Sequence, residues 1–143
     1  MLLLVYKCKQ GGDKMEYNNI NLTDSEWNIM ECLWENPPKT GRETIDYMKE
    51  TMGWNRSTTL TLLRRLEEKS ALYSETLNDV KVYYPAISRE QAALKETNNF
   101  LGKVYNGSLS MMLSTFTQKQ NLSKNEIQEL YDILKEMEAN ADD

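Results

Sequence analysis

The sequence predicts a mainly α-helical chain with two parts: an amino-terminal winged helix-turn-helix, made of three helices plus a β-hairpin wing, and a carboxy-terminal helical dimerisation domain. Three observations carry this. Three helix-start signals stand in tandem between Thr23 and Asn55. The period then switches abruptly to alternating aromatic and β-branched residues around a turn over 72–85. From Ser88 onward, helical spacing returns. Residues 22–86 form the expected DNA-binding domain, 87–143 the dimerisation domain, and 1–21 an amino-terminal extension.

Thr23-Asp24-Ser25-Glu26 has the form of a capping box, in which the threonine and glutamate side chains each satisfy a backbone N–H. Trp27, Met30, Leu33 and Trp34 follow at three- and four-residue spacing, and Pro37-Pro38 stops the run, which predicts a helix over 24–36. Thr40-Gly41-Arg42-Glu43 repeats the box, and Ile45, Met48 and Met52 lead to Gly53, a natural C-terminal cap. Asn55 is a good N-cap for a third helix, whose stripe of Leu62, Leu63 and Leu66 runs to about Lys69. Leu72–Thr76 and Val80–Tyr84, joined at Leu77-Asn78-Asp79, read as a hairpin packed through Tyr83-Tyr84-Pro85 against the first helix. Three helices and a hairpin in about 65 residues is the order of a winged helix-turn-helix.

Ser88-Arg89-Glu90-Gln91 opens another helix, with Leu94, Leu101, Val104 and Tyr105 on its apolar face. A break at Asn106-Gly107 precedes a short helix bearing Leu109, Met112, Leu113 and Phe116. Ser123-Lys124-Asn125-Glu126 caps the last helix, with Ile127, Leu130, Ile133, Leu134 and Met137 spaced for burial. About 55 residues bury too little surface to offset chain entropy unaided. The faces of Leu101, Val104, Tyr105, Leu109, Met112, Leu113, Phe116, Ile127, Leu130, Ile133 and Leu134 are therefore expected to meet a second copy of the chain, the alternative being that they fold back on the first domain. Two-fold symmetry suits a helix-turn-helix, which usually reads paired half-sites.

The extension begins with an apolar run, Met1–Tyr6, ahead of Lys7 and Lys9, which inverts the order of a signal peptide and is too short to span a membrane. Gly11-Gly12 require two GGN codons shortly before Met15, the spacing of a bacterial ribosome-binding site, so translation is expected to start at Met15. A disordered arm is the alternative.

Composition narrows the chemistry. There is no histidine among 143 residues, so neither a Ser-His-Asp triad nor an imidazole metal site can be built, and no catalytic residue, metal site or cofactor is expected. Two cysteines, Cys8 and Cys32, cannot form a four-thiolate cluster within one chain; they are either two free thiols, which fits the cytoplasm, or one disulfide. Lys plus Arg number 17 against 22 Asp plus Glu, a net charge of −5, so any attraction for DNA must be local.

That local charge lies on the third helix. Arg56, Arg64, Arg65 and Lys69 against Glu67 and Glu68 leave the segment at +2. At about 100° per residue, Thr58, Thr61 and Arg65 fall within about 60° of one another, opposite Thr59, Leu63 and Leu66. Threonine hydroxyls and methyls can meet phosphate or thymine, and arginine can take guanine O6 and N7 together or clamp a phosphate. Ser57 and Lys81 are candidates for further phosphate contacts, although Glu75 and Asp79 leave the wing poorly charged. A merely solvated helix face is the alternative. Trp27, Trp34 and Trp54 lie on apolar stripes or at a helix junction and are expected in the core rather than on bases.

The stretch Leu22–Met30, Leu33-Trp34, Gly53-Trp54 with Ser57-Thr58, Leu62–Leu66 and Tyr83-Tyr84-Pro85 resembles the penicillinase-repressor family, which includes the methicillin-resistance repressor, from about Leu22 to the last helix. The resemblance implies a homodimeric winged-helix repressor on palindromic double-stranded operators of the TACA/TGTA kind, controlling β-lactam-resistance genes, with Thr58, Thr61 and Arg65 at the family's contact positions. Asn55-Arg56-Ser57 stands where the family commonly has Ser-Pro-Lys, and Ser70 where it usually has Gly. Asn98–Leu101 and Lys103–Gly107 resemble the stretch in which these repressors are cut, which places the cut at Asn99–Phe100 and implies a membrane-bound β-lactam sensor-transducer protease as partner. Copper-responsive relatives carry Cys-x-Cys pairs near the end, and no cysteine follows Cys32 here. A different class of function, a protein-interaction adaptor that uses the winged helix as a scaffold without reading DNA, is the alternative.

Overall fold

The computed structural model of the chain describes residues 20–141; the apolar opening run, Cys8 and the expected start at Met15 lie outside the described residues. The chain divides into two compact units between Thr97 and Asn98.

The first unit is built from local signals that close as hydrogen bonds. Helix α1 spans Asp24–Trp34 and opens on a complete capping box: Glu26 N–H donates to Thr23 Oγ1 at 3.1 Å and Thr23 N–H to Glu26 Oε1 at 2.8 Å. It ends two residues earlier than the sequence suggests. A residue before proline is pushed out of the helical region, and Asn36, just ahead of Pro37, has φ 122. Strand β1, Lys39–Thr40, leads into α2, Gly41–Met52, through a second capping box between Thr40 and Glu43. Gly53 closes α2 in the left-handed region (φ 71), its N–H donating to Lys49 O at 3.0 Å. Helix α3, Arg56–Glu68, is capped by Asn55, whose Oδ1 accepts from Thr58 N–H at 2.8 Å.

Strands β2, Leu72–Leu77, and β3, Val80–Pro85, form the wing, turning at Asn78 and Asp79, both with positive φ as in the tight turns that match strand twist. The sheet has three strands in the order β1-β3-β2, all antiparallel, with Tyr73 opposite Tyr84 and Lys39 opposite Tyr83. β1 was not expected, because two residues after a Pro-Pro pair carry no periodic signal and pair only with a strand far downstream.

Ile29, Met30 and Leu33 of α1, Met48 of α2, Leu62, Leu63 and Leu66 of α3, and Leu72 and Tyr83 of the wing form one buried core. Trp27, Trp34 and Trp54 are partly buried against it. Trp34 also donates its indole N–H to Ile87 O at 2.9 Å, tying α1 to the chain beyond the wing.

Helix α4, Arg89–Tyr105, begins in this unit, its start held by reciprocal bonds between Ser88 and Gln91. Ala92 lies in the core, whereas Leu94, expected on the apolar face, is 63% exposed, since two residues along the helix turn it about 200° away from Ala92. The second unit contains the end of α4, then α5, Leu109–Lys119, and α6, Lys124–Asn140. Asn106 and Gly107 break α4 from α5 with positive φ, and Ser123 and Glu126 cap α6 reciprocally.

Candidate nucleic-acid interface

Helix α3 has a sharply divided surface. Thr59, Leu62, Leu63 and Leu66 are buried on one side, which locks the helix's rotation in the core. Arg56, Ser57, Thr58, Arg64 and Arg65 are exposed on the other, with Thr61 half-buried between them. The side chains expected to touch DNA are thus brought to one surface. Arg56, Ser57, Leu60, Thr61 and Arg64 line an open recess of about 400 Å³ along it. Leu60 was not singled out from sequence, since a leucine in a helix reads by default as core; its spacing of four from both Arg56 and Arg64 was the available signal.

Ion pairs redistribute the helix's charge. Lys69 Nζ donates to Glu26 Oε1 at 2.6 Å and to Asn21 O at 2.9 Å, so its charge is matched by a buried carboxylate. Glu67 accepts from Ser74 Oγ at 2.7 Å and lies 3.6 Å from Lys81 Nζ. Lys81 is exposed on β3 and also sits 5.3 Å from the centre of the Tyr83 ring. With Lys69 and Glu67 matched by Glu26 and Lys81, three arginines (56, 64 and 65) stand against Glu68, which keeps +2 but concentrates it on the exposed face.

Glu26 is 1% exposed, and burial alone would raise its pKa; the bonds from Lys69 and from Thr23 N–H outweigh that and hold the carboxyl below its ordinary 4.5. Cys32 is a buried free thiol whose pKa burial pushes up to about 11, so it is held as an unreactive thiol. Among the described residues no three His, Cys, Asp or Glu side chains are grouped to hold a metal ion, and no helix is long and apolar enough to cross a membrane.

A sequence profile described as penicillinase repressor matches residues 22–136. The chain belongs to the penicillinase-repressor family. It is 34% identical over 115 residues to the penicillinase repressor of Bacillus licheniformis, covering 80% of this chain and 90% of that one. To the methicillin resistance regulatory protein MecI of Staphylococcus aureus strain N315 it is 28% identical over 120 residues, covering 84% and 98%. Among solved structures, the solution structure of the Bacillus licheniformis BlaI monomeric form in complex with the blaP half-operator aligns with a TM-score of 0.47 at 29% identity, over 50% of this chain and 88% of that one.

The other residues singled out in the sequence lie on the second half of the chain. Asn99 and Phe100 are exposed in α4, and the Phe100 ring meets that of Tyr105 edge-on at 5.9 Å between centres. Of the side chains expected at a dimer interface, Leu101 is buried within the chain and Tyr105, Met112, Leu113 and Leu130 are half-buried. Val104, Leu109, Phe116, Ile127, Ile133 and Leu134 are each between 42% and 53% exposed. Phe100, Tyr105, Met112, Leu113, Phe116 and Leu130 border an apolar cavity of about 450 Å³ in this unit.

Proposed function

We propose that this penicillinase-repressor family member is a transcriptional repressor that acts in the cytoplasm, binds double-stranded operator DNA as a homodimer and controls β-lactam-resistance genes. The observation that carries this reading is the exposed face of α3, where Arg56, Ser57, Thr58, Thr61, Arg64 and Arg65 stand clear of a core that fixes the helix from behind. Such a helix enters the major groove, where its arginines bridge guanine edges or phosphates and its hydroxyls meet the backbone. Lys81 adds a weaker phosphate contact from the wing, weaker because Glu67 already faces it.

The apolar surface of 98–141 supports dimerisation. Among the described residues of that segment Leu101 alone is buried, and a soluble chain does not leave so many large aliphatic side chains wet without a partner. Pairing two recognition helices turns two weak half-site contacts into one tight complex. Cleavage between Asn99 and Phe100, at the entrance to these helices and in a helix stretch whose side chains are open to solvent, would separate the DNA-reading unit from its dimerisation helices and release the operator. A membrane-bound β-lactam sensor-transducer protease is the proposed agent of that cut.

Footprinting of the region upstream of the protein's own gene tests the reading. Protection of two inverted half-sites spaced by about one helical turn or a multiple of it is expected, with Arg65→Ala weakening it by about 1–3 kcal/mol. Uniform protection without half-sites would contradict it.

A further inference from the structure

We infer that Leu60 is a specificity-determining residue that reads the 5-methyl group of a thymine in the operator; the inference rests on the DNA-binding reading of α3. Leu60 is not needed by the core, since Thr59, Leu62, Leu63 and Leu66 already fill the buried side of the helix and none of them is more than 5% exposed. Instead it is 37% exposed on the outer surface. It stands four residues after Arg56 and four before Arg64, so the three form one row along the helix. With Ser57 and Thr61 alongside, this row encloses the open recess of about 400 Å³, its apolar element placed between two guanidinium groups.

A lone exposed leucine is ordinary on a protein surface. Here, however, it lines one recess with Arg56, Ser57, Thr61 and Arg64, at the edge of the face proposed to meet DNA, where the complement of an apolar group is a methyl. The major-groove edge of thymine carries the C5 methyl, while the other base edges present hydrogen-bonding groups there. Guanidiniums to either side, bonded to guanine or phosphate, would hold the helix in register while the leucine covers that methyl and removes it from water.

The test replaces thymines of the upstream duplex one at a time by deoxyuridine, which deletes the methyl and leaves every hydrogen-bonding group in place, and titrates the full chain and Leu60→Ala against each duplex. One replacement is expected to weaken binding by the wild-type chain about fourfold, the value of one buried methyl. Leu60→Ala is expected to bind the thymine duplex more weakly and to be indifferent to that same replacement, a coupling that a double-mutant cycle isolates. Leu60→Gln, of similar length without the branched methyls, should show the same indifference, and an unchanged circular-dichroism spectrum keeps loss of fold out of the result. If every replacement affects wild type and both variants equally, the Leu60 assignment is overturned while DNA reading by α3 stands. If the wild-type chain does not distinguish the upstream duplex from a scrambled one, the DNA-binding reading falls and this inference with it.

Discussion

Glu26 is a carboxylate in the core of a small domain, and its surroundings show how one residue couples two ends of the fold. It is the N3 residue of the α1 capping box and the counter-ion of Lys69, the residue that ends α3. The first role is legible in the sequence, because Thr23 and Glu26 are three residues apart and the pattern is local. The second is not, because Lys69 is 43 residues away and counts in a sequence reading only as one more positive charge near the recognition helix. Lys69→Met should lower stability at pH 7 by about 1–3 kcal/mol by stranding a buried charge. Since Glu26's pKa is depressed in the folded state, the stability it contributes is present above its unfolded value of 4.5 and is lost as pH falls through the folded value. Urea-unfolding midpoints of wild type and variant should therefore converge in acid; a gap as wide at pH 3 as at pH 7 would show that Lys69 acts by packing rather than by charge.

At the scale of elements, helix starts were readable wherever they depend on hydrogen bonds between residues three apart: Thr23, Thr40, Ser88 and Ser123 all cap as their neighbours suggest. The wing was readable from its alternation and its Asn78-Asp79 turn. What escaped was non-local: β1 exists because Lys39 and Thr40 find the edge of β3, and Leu94 faces outward because the first domain packs on the opposite side of its helix, at Ala92. The junction between α3 and β2 carries a prediction. Ser70 follows the cap of α3 with φ 66, in the left-handed region where a side chain costs about 1–2 kcal/mol and glycine costs nothing. Glycine's extra freedom in the unfolded chain returns about 0.5–1 kcal/mol of that. Ser70→Gly should thus raise stability by about 0.5–1 kcal/mol, seen as a higher midpoint in thermal unfolding. A fall in the midpoint would mean that the serine side chain contributes more to this junction than its backbone strain removes.

For the molecule as a whole, the candidate DNA face was largely visible beforehand, since an amphipathic helix divides its residues by period alone, and Thr59, Leu63 and Leu66 are buried opposite exposed Thr58 and Arg65. Leu60 was hidden by the same logic, as an apolar residue outside the apolar stripe. Assembly belongs to this scale too. Leu134 is 53% exposed in the single chain, so an aspartate there disturbs little within one copy. At an apolar interface it places a charge out of water on each side. Leu134→Asp should sediment as a monomer at concentrations where wild type is dimeric, keep its helical circular-dichroism signal, and bind a two-half-site operator at least about tenfold more weakly. A variant that stays dimeric would move the interface elsewhere.

The most direct test of the central claim is a fluorescence-anisotropy titration of the protein against duplex DNA from upstream of its own gene, at two salt concentrations, beside a scrambled duplex. The account predicts tight and selective binding to the upstream duplex, with log K falling steeply with log salt as several phosphates are neutralised. Equal and weak binding to both duplexes would contradict it and would make the winged helix a docking scaffold rather than a reader of DNA.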